Sequence, residues 1–345
     1  MTLRDEILEQ PRSLERLIET QWRPIRDIAS ALSREEIDTI FLTARGTSDN
    51  AGRYAKYLWG ACNGLPVALA APSLFSVYET PPRLNRTAVL GISQSGQSPD
   101  IVSVMREGRR QGRPTLAITN APDSPLAEAA EWVIDIAAGP EKAIAATKSY
   151  TGQLTAIALL SAALSGDGER YDLVRRVPQW IAETLTLEQE IERIVQRYRY
   201  MRESVVIGRG YNYATAFEWA LKLKELTYTV SEPYSSSDFR HGPIAVVDRG
   251  FPVFGVVPKG AVYADVMALL RSLKEDYAVE LLVVSNADEA GALADRALRL
   301  PDAVPEWLTP IVAIVPVQLF VYHLTLAKGF DPDQPRGLSK VTRTE

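Results

Sequence analysis

The sequence predicts an α/β protein made of two homologous lobes, each a doubly wound parallel sheet in a three-layer αβα arrangement. Short apolar runs alternate with amphipathic helical patterns, which is typical of parallel strands covered by helices on both faces. The chain also repeats itself, because "IFLTARGTSDNAGRYAKYLWG" (40–60) resembles "VVIGRGYNYATAFEWALKLKE" (205–225). In each copy an apolar strand ends in Arg-Gly and a helical pattern follows.

Two further segments repeat in the same order. The two Arg-Gly dipeptides are 164 positions apart. The same offset places "TAVLGISQSG" (87–96) on "FPVFGVVPKG" (251–260). An offset of 166 places "LAITNAPD" (116–123) on "LVVSNADE" (282–289). Three matches in order at nearly one offset indicate an internal duplication.

In chain order the pattern predicts five segments. They are an N-terminal helical segment (1–33), the first lobe (34–165), a charged helical connector (166–198), the second lobe (199–328) and a C-terminal tail (329–345). Strands of the first lobe are predicted at the apolar runs 40–43, 67–70, 88–92, 116–119 and 133–136, and an apolar helix at 308–328. In this architecture ligands bind beyond the carboxyl ends of the strands, where helices begin.

Composition limits the classes of function. The net charge of −5 argues against a nucleic-acid partner. A single cysteine, Cys62, excludes an internal disulfide framework and indicates a reducing compartment. The N-terminus lacks the apolar core of a signal peptide, and no apolar stretch approaches the ~20 residues that a membrane helix needs. We therefore expect a cytoplasmic protein with no membrane partner.

Metal and thiol chemistry would have few ligands here. The chain has two histidines, His241 and His323, and Cys62 lies among apolar residues. A zinc site of nitrogen and sulfur ligands is therefore not expected, and neither is a cofactor. Cys62 is interpreted as a buried, inert thiol, and His323 as a residue that packs or caps within the C-terminal helix.

Residues 91–100, "GISQSGQSPD", place hydroxyl and amide groups where a buried strand meets a helix. The candidates are Ser93, Gln94, Ser95 and Ser98. Ser98 is expected to cap a helix that begins at Pro99. The loop is either an ordinary capped turn or a phosphate site, since a helix N-terminus favours a dianion. The equivalent loop of the second lobe, "VPKG", lacks the hydroxyls, which favours the phosphate interpretation.

A second cluster lies on a helix predicted from about residue 214. Glu218, Lys222 and Glu225 share one face at i, i+4 and i+7. One interpretation is an ion-pair stripe on the surface. The other is a proton-transfer site, because the stripe leads to His241 in a Gly-Pro loop.

Five motifs together resemble the double sugar-isomerase-domain (SIS) family. They are "ARGTSDNAG", "SQSGQSPD", "EKAIAATKSYTGQL", "LKLKE…FRHGP" and "DPDQPRGLSKVT". The resemblance runs from about residue 42 to residue 345. The family includes the isomerase half of glucosamine-6-phosphate synthase and stand-alone glucosamine-6-phosphate deaminases.

The resemblance implies how a hexose phosphate would bind. The loop serines and Gln94 match the phosphate cradle of the family, and Thr47 and Ser48 match residues near the phosphate and the sugar. The segment 144–147, with Ile144, Ala146 and Thr147, matches the lining of the sugar site. The synthase pattern has serine where Ala146 stands, so one hydroxyl contact is absent here.

The resemblance also implies the catalytic roles. Glu225 matches the base that moves a proton between C1 and C2, and Lys222 matches the lysine beside it. His241 matches the acid/base of ring opening, which in relatives reaches the site of the partner subunit, so a homodimer is implied. Lys340 matches a lysine that meets the carbonyl carbon of the sugar, and Ser339 replaces an alanine.

The reaction expected from these motifs is glucosamine 6-phosphate to fructose 6-phosphate plus ammonia. Residue 2 is Thr2 where the synthase has a cysteine nucleophile, so no glutaminase is expected, and the motifs resemble the stand-alone deaminases more than the synthases. Two alternatives stay open. One is another phosphosugar isomerase, deaminase or deglycase acting on galactosamine 6-phosphate or a fructosamine 6-phosphate. The other is a non-catalytic sugar-phosphate sensor, against which the presence of both Glu225 and Lys340 argues.

Overall fold

The structure is a computed structural model that describes residues 2–340. The chain forms two compact units, each made of several stretches. The N-lobe comprises residues 9–141, 148–178 and 339–340, and the C-lobe comprises residues 2–8, 142–147 and 179–338. The N-terminal segment, the connector and the tail are therefore each divided between the two lobes.

The N-lobe contains a five-stranded sheet in which every pair of neighbouring strands is parallel. Its strands are β1 (Thr39–Thr43), β2 (Val67–Leu69), β3 (Thr87–Ser93), β4 (Thr115–Thr119) and β5 (Trp132–Asp135). Each predicted strand is confirmed, with both ends within one residue of the apolar run. The strand order is β2-β1-β3-β4-β5.

The C-lobe sheet has the same design. Its strands are β6 (Glu203–Ile207), β7 (Val230–Tyr234), β8 (Pro252–Val256), β9 (Glu280–Ser285) and β10 (Arg296–Arg299). They are parallel and lie in the order β7-β6-β8-β9-β10, which is the N-lobe order repeated. The predicted α/β fold with two homologous parallel-sheet lobes is confirmed.

Helices cover these sheets. In chain order they are α1 (Leu3–Leu8), α2 (Gln10–Leu32), α3 (Gly46–Asn63), α4 (Ser73–Ser76), α5 (Pro99–Arg110), α6 (Pro125–Glu128), α7 (Lys148–Ser165), α8 (Gly168–Arg175), α9 (Val177–Leu185), α10 (Glu188–Ile194), α11 (Tyr213–Lys222), α12 (Ser236–Arg240), α13 (Tyr263–Asp276), α14 (Asp288–Leu293) and α15 (Thr309–Ala327). Short 3-10 segments span Val195–Tyr198, Gly210–Asn212, Pro243–Val246 and Glu306–Leu308, and a π-helix over Leu223–Thr227 continues α11.

Both lobes close the first strand with the same corner. The arginine after the strand is extended, with φ of −138° at Arg45 and −143° at Arg209. The glycine that follows has a positive φ of 52° or 62°, which a residue with a Cβ adopts at a cost. Arg45 Nη2 lies 2.7 Å from Asp100 Oδ2, and Arg209 Nη1 lies 2.7 Å from Asp265 Oδ2. The duplication thus preserved an ion pair between this corner and the helix after the third strand.

Helix α15 forms the centre of the C-lobe core. Its Phe320 and the stacked rings of Trp219 and Phe254, whose centroids are 4.8 Å apart, form an aromatic cluster. By length and composition alone, Glu306–Ala327 could span a membrane, with a mean hydropathy of 1.8. The expectation that no stretch reaches that length was therefore wrong. Of the most apolar 18-residue stretch of this segment, 83% is buried in the fold. The high hydropathy therefore also fits a helix of the protein core.

Candidate functional site

The loop 94–98 lies at the ligand edge of the N-lobe sheet. Strand β3 ends at Ser93 and α5 begins at Pro99, while the corner after β1 opens α3. These two loops follow the neighbouring strands β1 and β3, between which the strand order reverses. Such a switch point is where open parallel sheets bind ligands. The fold thus places the predicted phosphate residues at the expected position.

Hydrogen bonds within the loop shape it into a tight cradle. Ser93 Oγ accepts a bond from the backbone N–H of Gly96 at 3.1 Å, and Ser95 Oγ accepts one from Gln97 N–H at 3.4 Å. Gly96 has a φ of 62°, and a Cβ there would lie 2.0 Å from Ser124 Oγ. Only glycine fits this position, so the backbone can turn closely around a bound group.

Ser98 occupies the N-cap position of α5, as predicted, with an extended φ of −71° and ψ of 114°. Its hydroxyl, however, makes no capping hydrogen bond, so the predicted side-chain cap was wrong. At this N-cap the hydroxyl oxygen is not within hydrogen-bonding geometry of a backbone N–H in the first turn of α5. The backbone N–H of Ile101 instead donates to Asp100 Oδ1 at 2.9 Å, and that of Val102 donates to the carbonyl of Ser98 at 3.1 Å.

Thr47 and Ser48 lie in the first turn of α3, beside the loop's edge of the sheet. Ser48 is buried, and its Oγ accepts a hydrogen bond of 3.0 Å from Gln153 Nε2 on α7. Gln153 is buried as well and positions this hydroxyl. The sequence reasoning missed Gln153 although it stands inside a quoted motif, because a glutamine within an apolar helix shows no partner in the sequence.

Lys340 is held at the N-lobe by a buried carboxylate. Its Nζ lies 2.8 Å from Glu141 Oε2, whose side chain is fully buried. Glu141 also accepts hydrogen bonds from the backbone N–H of Ser149 at 3.0 Å and from its hydroxyl at 2.8 Å. Ser339 is exposed. Glu141 was missed because 199 positions separate it from Lys340 and no local pattern joins them.

The predicted sugar-lining residues Ile144, Ala146 and Thr147 lie in the C-lobe stretch 142–147. The buried carboxylate of Glu6 on α1 fixes the start of this stretch by accepting a hydrogen bond from the backbone N–H of Lys142 at 2.5 Å. At its end, Gln318 Nε2 on α15 donates to the Thr147 carbonyl at 3.4 Å.

Glu218, Lys222 and Glu225 form a buried charge cluster in the C-lobe. Lys222 Nζ lies 3.5 Å from Glu218 Oε1 and donates a hydrogen bond to Glu225 Oε2. The side chains of Glu218 and Lys222 are 0% and 3% exposed, whereas that of Glu225 is 23% exposed. This burial is incompatible with the interpretation as a surface stripe.

Two opposing effects act on the charge of Lys222. Burial disfavours the ammonium, but the carboxylates of Glu225 and Glu218 outweigh burial and hold the pKa of Lys222 above its ordinary value. Lys222 is therefore a permanent cation at physiological pH. It stabilises the carboxylate of Glu225, the member of the cluster that solvent or a ligand can reach.

Glu225 lies on a π-helix rather than on a regular turn of α11. The π-helix spans Leu223–Thr227 and ends at Tyr228, whose φ of 54° and ψ of 28° are left-handed. Such segments are rare and concentrate at functional sites. The predicted helical face is present, but the wider turn that positions Glu225 could not be read from the residue spacing.

The two histidines and the cysteine were also singled out in the sequence. His241 directly follows α12 and is exposed, and within residues 2–340 its ring makes no hydrogen bond or ion pair with Lys222 or Glu225. His323 was expected to pack or cap within the C-terminal helix, but its Nε2 on α15 lies 3.1 Å from Glu188 Oε1 on α10. Cys62 is partly exposed and borders a cavity of about 390 Å³, so its predicted full burial was wrong. Among the described residues, no group of three His, Cys, Asp or Glu is placed to hold a metal ion.

Comparison with known proteins assigns the fold to a family. The SIS domain matches residues 35–163 and again residues 201–328, one match in each half of the duplication. The chain belongs to the SIS-domain family. The resemblance seen in the five motifs is thereby confirmed, including the presence of two repeats of the domain.

Similar proteins include curated aminotransferases and solved structures. The chain is 34% identical over 341 residues to the glutamine–fructose-6-phosphate aminotransferase (isomerizing) of Methanothermobacter thermautotrophicus, covering 99% of this chain and 57% of that protein. A candidate phosphosugar isomerase from Silicibacter pomeroyi superposes with a TM-score of 0.86 at 32% identity, over 96% of this chain and 100% of that one. The C-terminal domain of the glucosamine-fructose-6-phosphate aminotransferase of Francisella tularensis superposes with a TM-score of 0.86 at 27% identity, over 96% of this chain and 98% of that one.

These matches define the homologous part of the longer enzymes. This SIS chain spans little more than half the length of the curated relative that it matches. It is homologous to the isomerase half, which is the C-terminal half of that aminotransferase.

Proposed function

We propose that this SIS protein is a phosphosugar aldose–ketose isomerase and deaminase that converts glucosamine 6-phosphate and water into fructose 6-phosphate and ammonia. The single observation that carries the proposal is the buried Lys222–Glu225 pair, with Glu225 alone partly exposed. A carboxylate held next to a permanent cation suits repeated proton transfer at one position. The names of the homologous enzymes, which refer to fructose 6-phosphate, support a hexose 6-phosphate as the substrate.

The cradle of the N-lobe supports binding of the phosphate group. The loop hydroxyls of Ser93, Ser95 and Ser98 lie at the N-terminus of α5 and provide donors for a dianion. Thr47 and Ser48 on α3 provide two more hydroxyls, one of them fixed by Gln153. Phosphate binding remote from the reacting carbons supplies free energy that orients C1 and C2.

In the proposed reaction, Glu225 acts on the open-chain amino sugar. Its carboxylate takes the proton from C2, and the electron pair moves toward the C1 aldehyde to give an enolamine. Glu225 then delivers that proton to C1, while the C1 oxygen gains a proton and the nitrogen releases one, which leaves an imine at C2 and a hydroxymethyl group at C1. Water adds to the imine carbon, and the nitrogen leaves as ammonia.

Six further residues complete the proposal. His241 opens the ring of the sugar, and its exposure is compatible with a place in the site of a partner subunit in a homodimer. Lys340 binds near the carbonyl carbon, positioned by Glu141. Ile144, Ala146 and Thr147 line the sugar, and Ser339 precedes Lys340 at the same end of the substrate.

Turnover of glucosamine 6-phosphate tests this proposal directly. We expect equimolar ammonia and fructose 6-phosphate from the purified protein, and loss of both in Glu225→Gln. Glu232→Gln is the matched control, because that carboxylate is 54% exposed and forms only a loose surface pair of 3.7 Å with Lys224. Binding of glucosamine 6-phosphate without turnover would indicate the non-catalytic sensor. Ammonia from galactosamine 6-phosphate, or turnover of fructosamine 6-phosphate, in place of glucosamine 6-phosphate turnover would indicate a different specificity.

Mixed variants test the shared site. Glu225→Gln and His241→Ala chains are each expected to be inactive as pure proteins. If His241 serves the partner subunit, dissociating and reassembling an equal mixture should restore about a quarter of the activity by random pairing. No recovery in verified mixed dimers would place each site within one subunit.

A further inference from the structure

A cavity in the C-lobe lies outside the residues assigned to the reaction. It has a volume of about 310 Å³, within the range that binds small molecules. It is bordered by the segment 199–202, the end of the π-helix at Thr227 and Tyr228, and Lys328, Phe330 and Arg336. All of these residues belong to one compact unit.

Four of the bordering side chains are cations and none is an anion. They are Arg199, Arg202, Lys328 and Arg336. None of the four forms an ion pair with a carboxylate within residues 2–340. Most other arginines of the C-lobe form an ion pair with an acidic residue. Arg197 pairs with Glu280, and Arg299 pairs with Asp288. The cavity therefore concentrates positive charge that the protein does not neutralise.

Gathering these four cations around one cavity costs free energy when no anion is bound. Lys328 is half-buried, with its Nζ donating to the carbonyl of Met201 and, at 3.0 Å, to Thr229 Oγ1. Burial, together with the nearby charge of Arg202, lowers the pKa of Lys328. Like charges gathered around a concave surface attract anions and raise their local concentration. An anion in the cavity would relieve both the repulsion and the loss of solvation.

Aromatic rings fix the geometry of the cations. The guanidinium of Arg336 stacks over the ring of Tyr228, 3.9 Å from its centroid, and the backbone N–H of Arg336 donates to Tyr228 Oη at 2.9 Å. Phe330 packs edge-on against the same ring at 4.8 Å. A stacked guanidinium keeps its donors free at the ring edge, which suits two-pronged binding of a phosphate.

We propose that this cavity is a second anion site, which binds a small phosphorylated metabolite with two or more negative charges. The site is separate from the N-lobe cradle, and the inference does not depend on the proposed reaction. Its position has a consequence for that reaction, because Tyr228 ends the π-helix that carries Glu225 and Lys340 follows Arg336 by four residues. An occupant would restrain both segments.

The test uses inorganic pyrophosphate as the probe, titrated calorimetrically into the full chain. A Ser95→Ala/Ser98→Ala background weakens the cradle, so that binding reports the second site. In that background we expect Arg199→Gln/Arg202→Gln to weaken pyrophosphate binding by about 10-fold or more, with a smaller salt dependence. Arg249→Gln/Arg296→Gln is the control with the same change in charge, since both arginines are exposed on the same lobe.

Hydrogen exchange locates the probe independently of any assay of turnover. Pyrophosphate should slow exchange at residues 199–202 and 330–336 in the wild-type chain, and this protection should disappear in Arg199→Gln/Arg202→Gln. Equal binding by that variant and its charge-matched control, or protection confined to the loop 94–98, would overturn the second site. An inactive protein that still shows this protection would refute the proposed reaction and leave the site standing.

Discussion

Replacing Lys222 with methionine tests the physical basis of the charge cluster. The substitution keeps the length and much of the packing of the side chain but removes the cation. Lys222 is 3% exposed and Glu218 is 0% exposed, so solvent cannot replace the lost interaction. Removing one partner of a buried ion pair costs about 3–5 kcal/mol, and we expect a loss of that size in the free energy of unfolding at pH 7.

Urea unfolding followed by tryptophan fluorescence measures this loss. Lys224→Met is the matched control, because Lys224 lies two residues along, is 43% exposed and pairs with Glu232 only at 3.7 Å. The control should cost less than about 1 kcal/mol. Adding Glu218→Gln to Lys222→Met should recover part of the loss, because it removes a carboxylate that the lysine had neutralised.

The pH dependence gives an independent check. Because the fold raises the pKa of Lys222 above its ordinary value of 10.5, the stability lost in Lys222→Met should be fully present below that pH and shrink as the pH rises beyond it. A free energy of unfolding within about 1 kcal/mol of the Lys224→Met control would refute the reasoning. It would mean that the cluster is far better solvated than its burial indicates.

Three further predictions concern the cradle, the tail and the N-terminal helix. Gly96→Ala should raise KM for a sugar phosphate by at least ~10-fold, whereas Gly112→Ala, with a similar φ of 68° but open space around it, should leave KM unchanged. Glu141→Gln should lower kcat up to ~100-fold with little effect on KM, because Lys340 loses its fixed position. Hydrogen bonding from a guanidinium lowers the pKa of Glu188, so this carboxylate should stabilise the fold above pH 4.5 and lose that effect as the pH falls.

Each of these predictions has a contrary outcome. Equal kinetics for Gly96→Ala and Gly112→Ala would show that the contact with Ser124 does not shape the cradle. Full activity in Glu141→Gln would separate Lys340 from the chemistry, and a Glu141→Asp variant reports whether charge alone suffices. For Glu188, the difference in unfolding free energy between the wild type and Glu188→Gln is compared at pH 3.5 and pH 7. An equal difference at both would mean that the pair with Arg4 is not linked to protonation.

The duplicated sheet was predictable because burial on both faces leaves a direct record in the sequence. A strand such as β3, which is buried along its whole length, requires an unbroken apolar run. The Arg-Gly corners mark where the first strand of each lobe ends. The repeated strand order then follows from the repeated pattern. Prediction of these strands succeeded because the requirement is local and acts on side-chain type.

The chemistry of the site was less accessible, since spacing does not encode burial. The positions of Glu218, Lys222 and Glu225 fit an exposed stripe as well as an enclosed cluster, and only the packing around them distinguishes the two. The π-helix adds a residue to the turn without any marker in the sequence. Contacts such as Lys340 with Glu141 join distant positions, so no local pattern announces them.

The division of the chain between the lobes governs the order in which the protein can fold during synthesis. The C-lobe draws on residues 2–8, on 142–147 and on 179–338, and its core includes α15, among the last elements to leave the ribosome. Helix α1 packs against α15, and Leu3 N–H donates to Asp333 Oδ1 at 2.6 Å. During synthesis α1 therefore waits for α15 while the strands of both sheets are made. Throughout that interval the apolar side chains of α1 that will face α15 are open to chaperones that bind apolar segments.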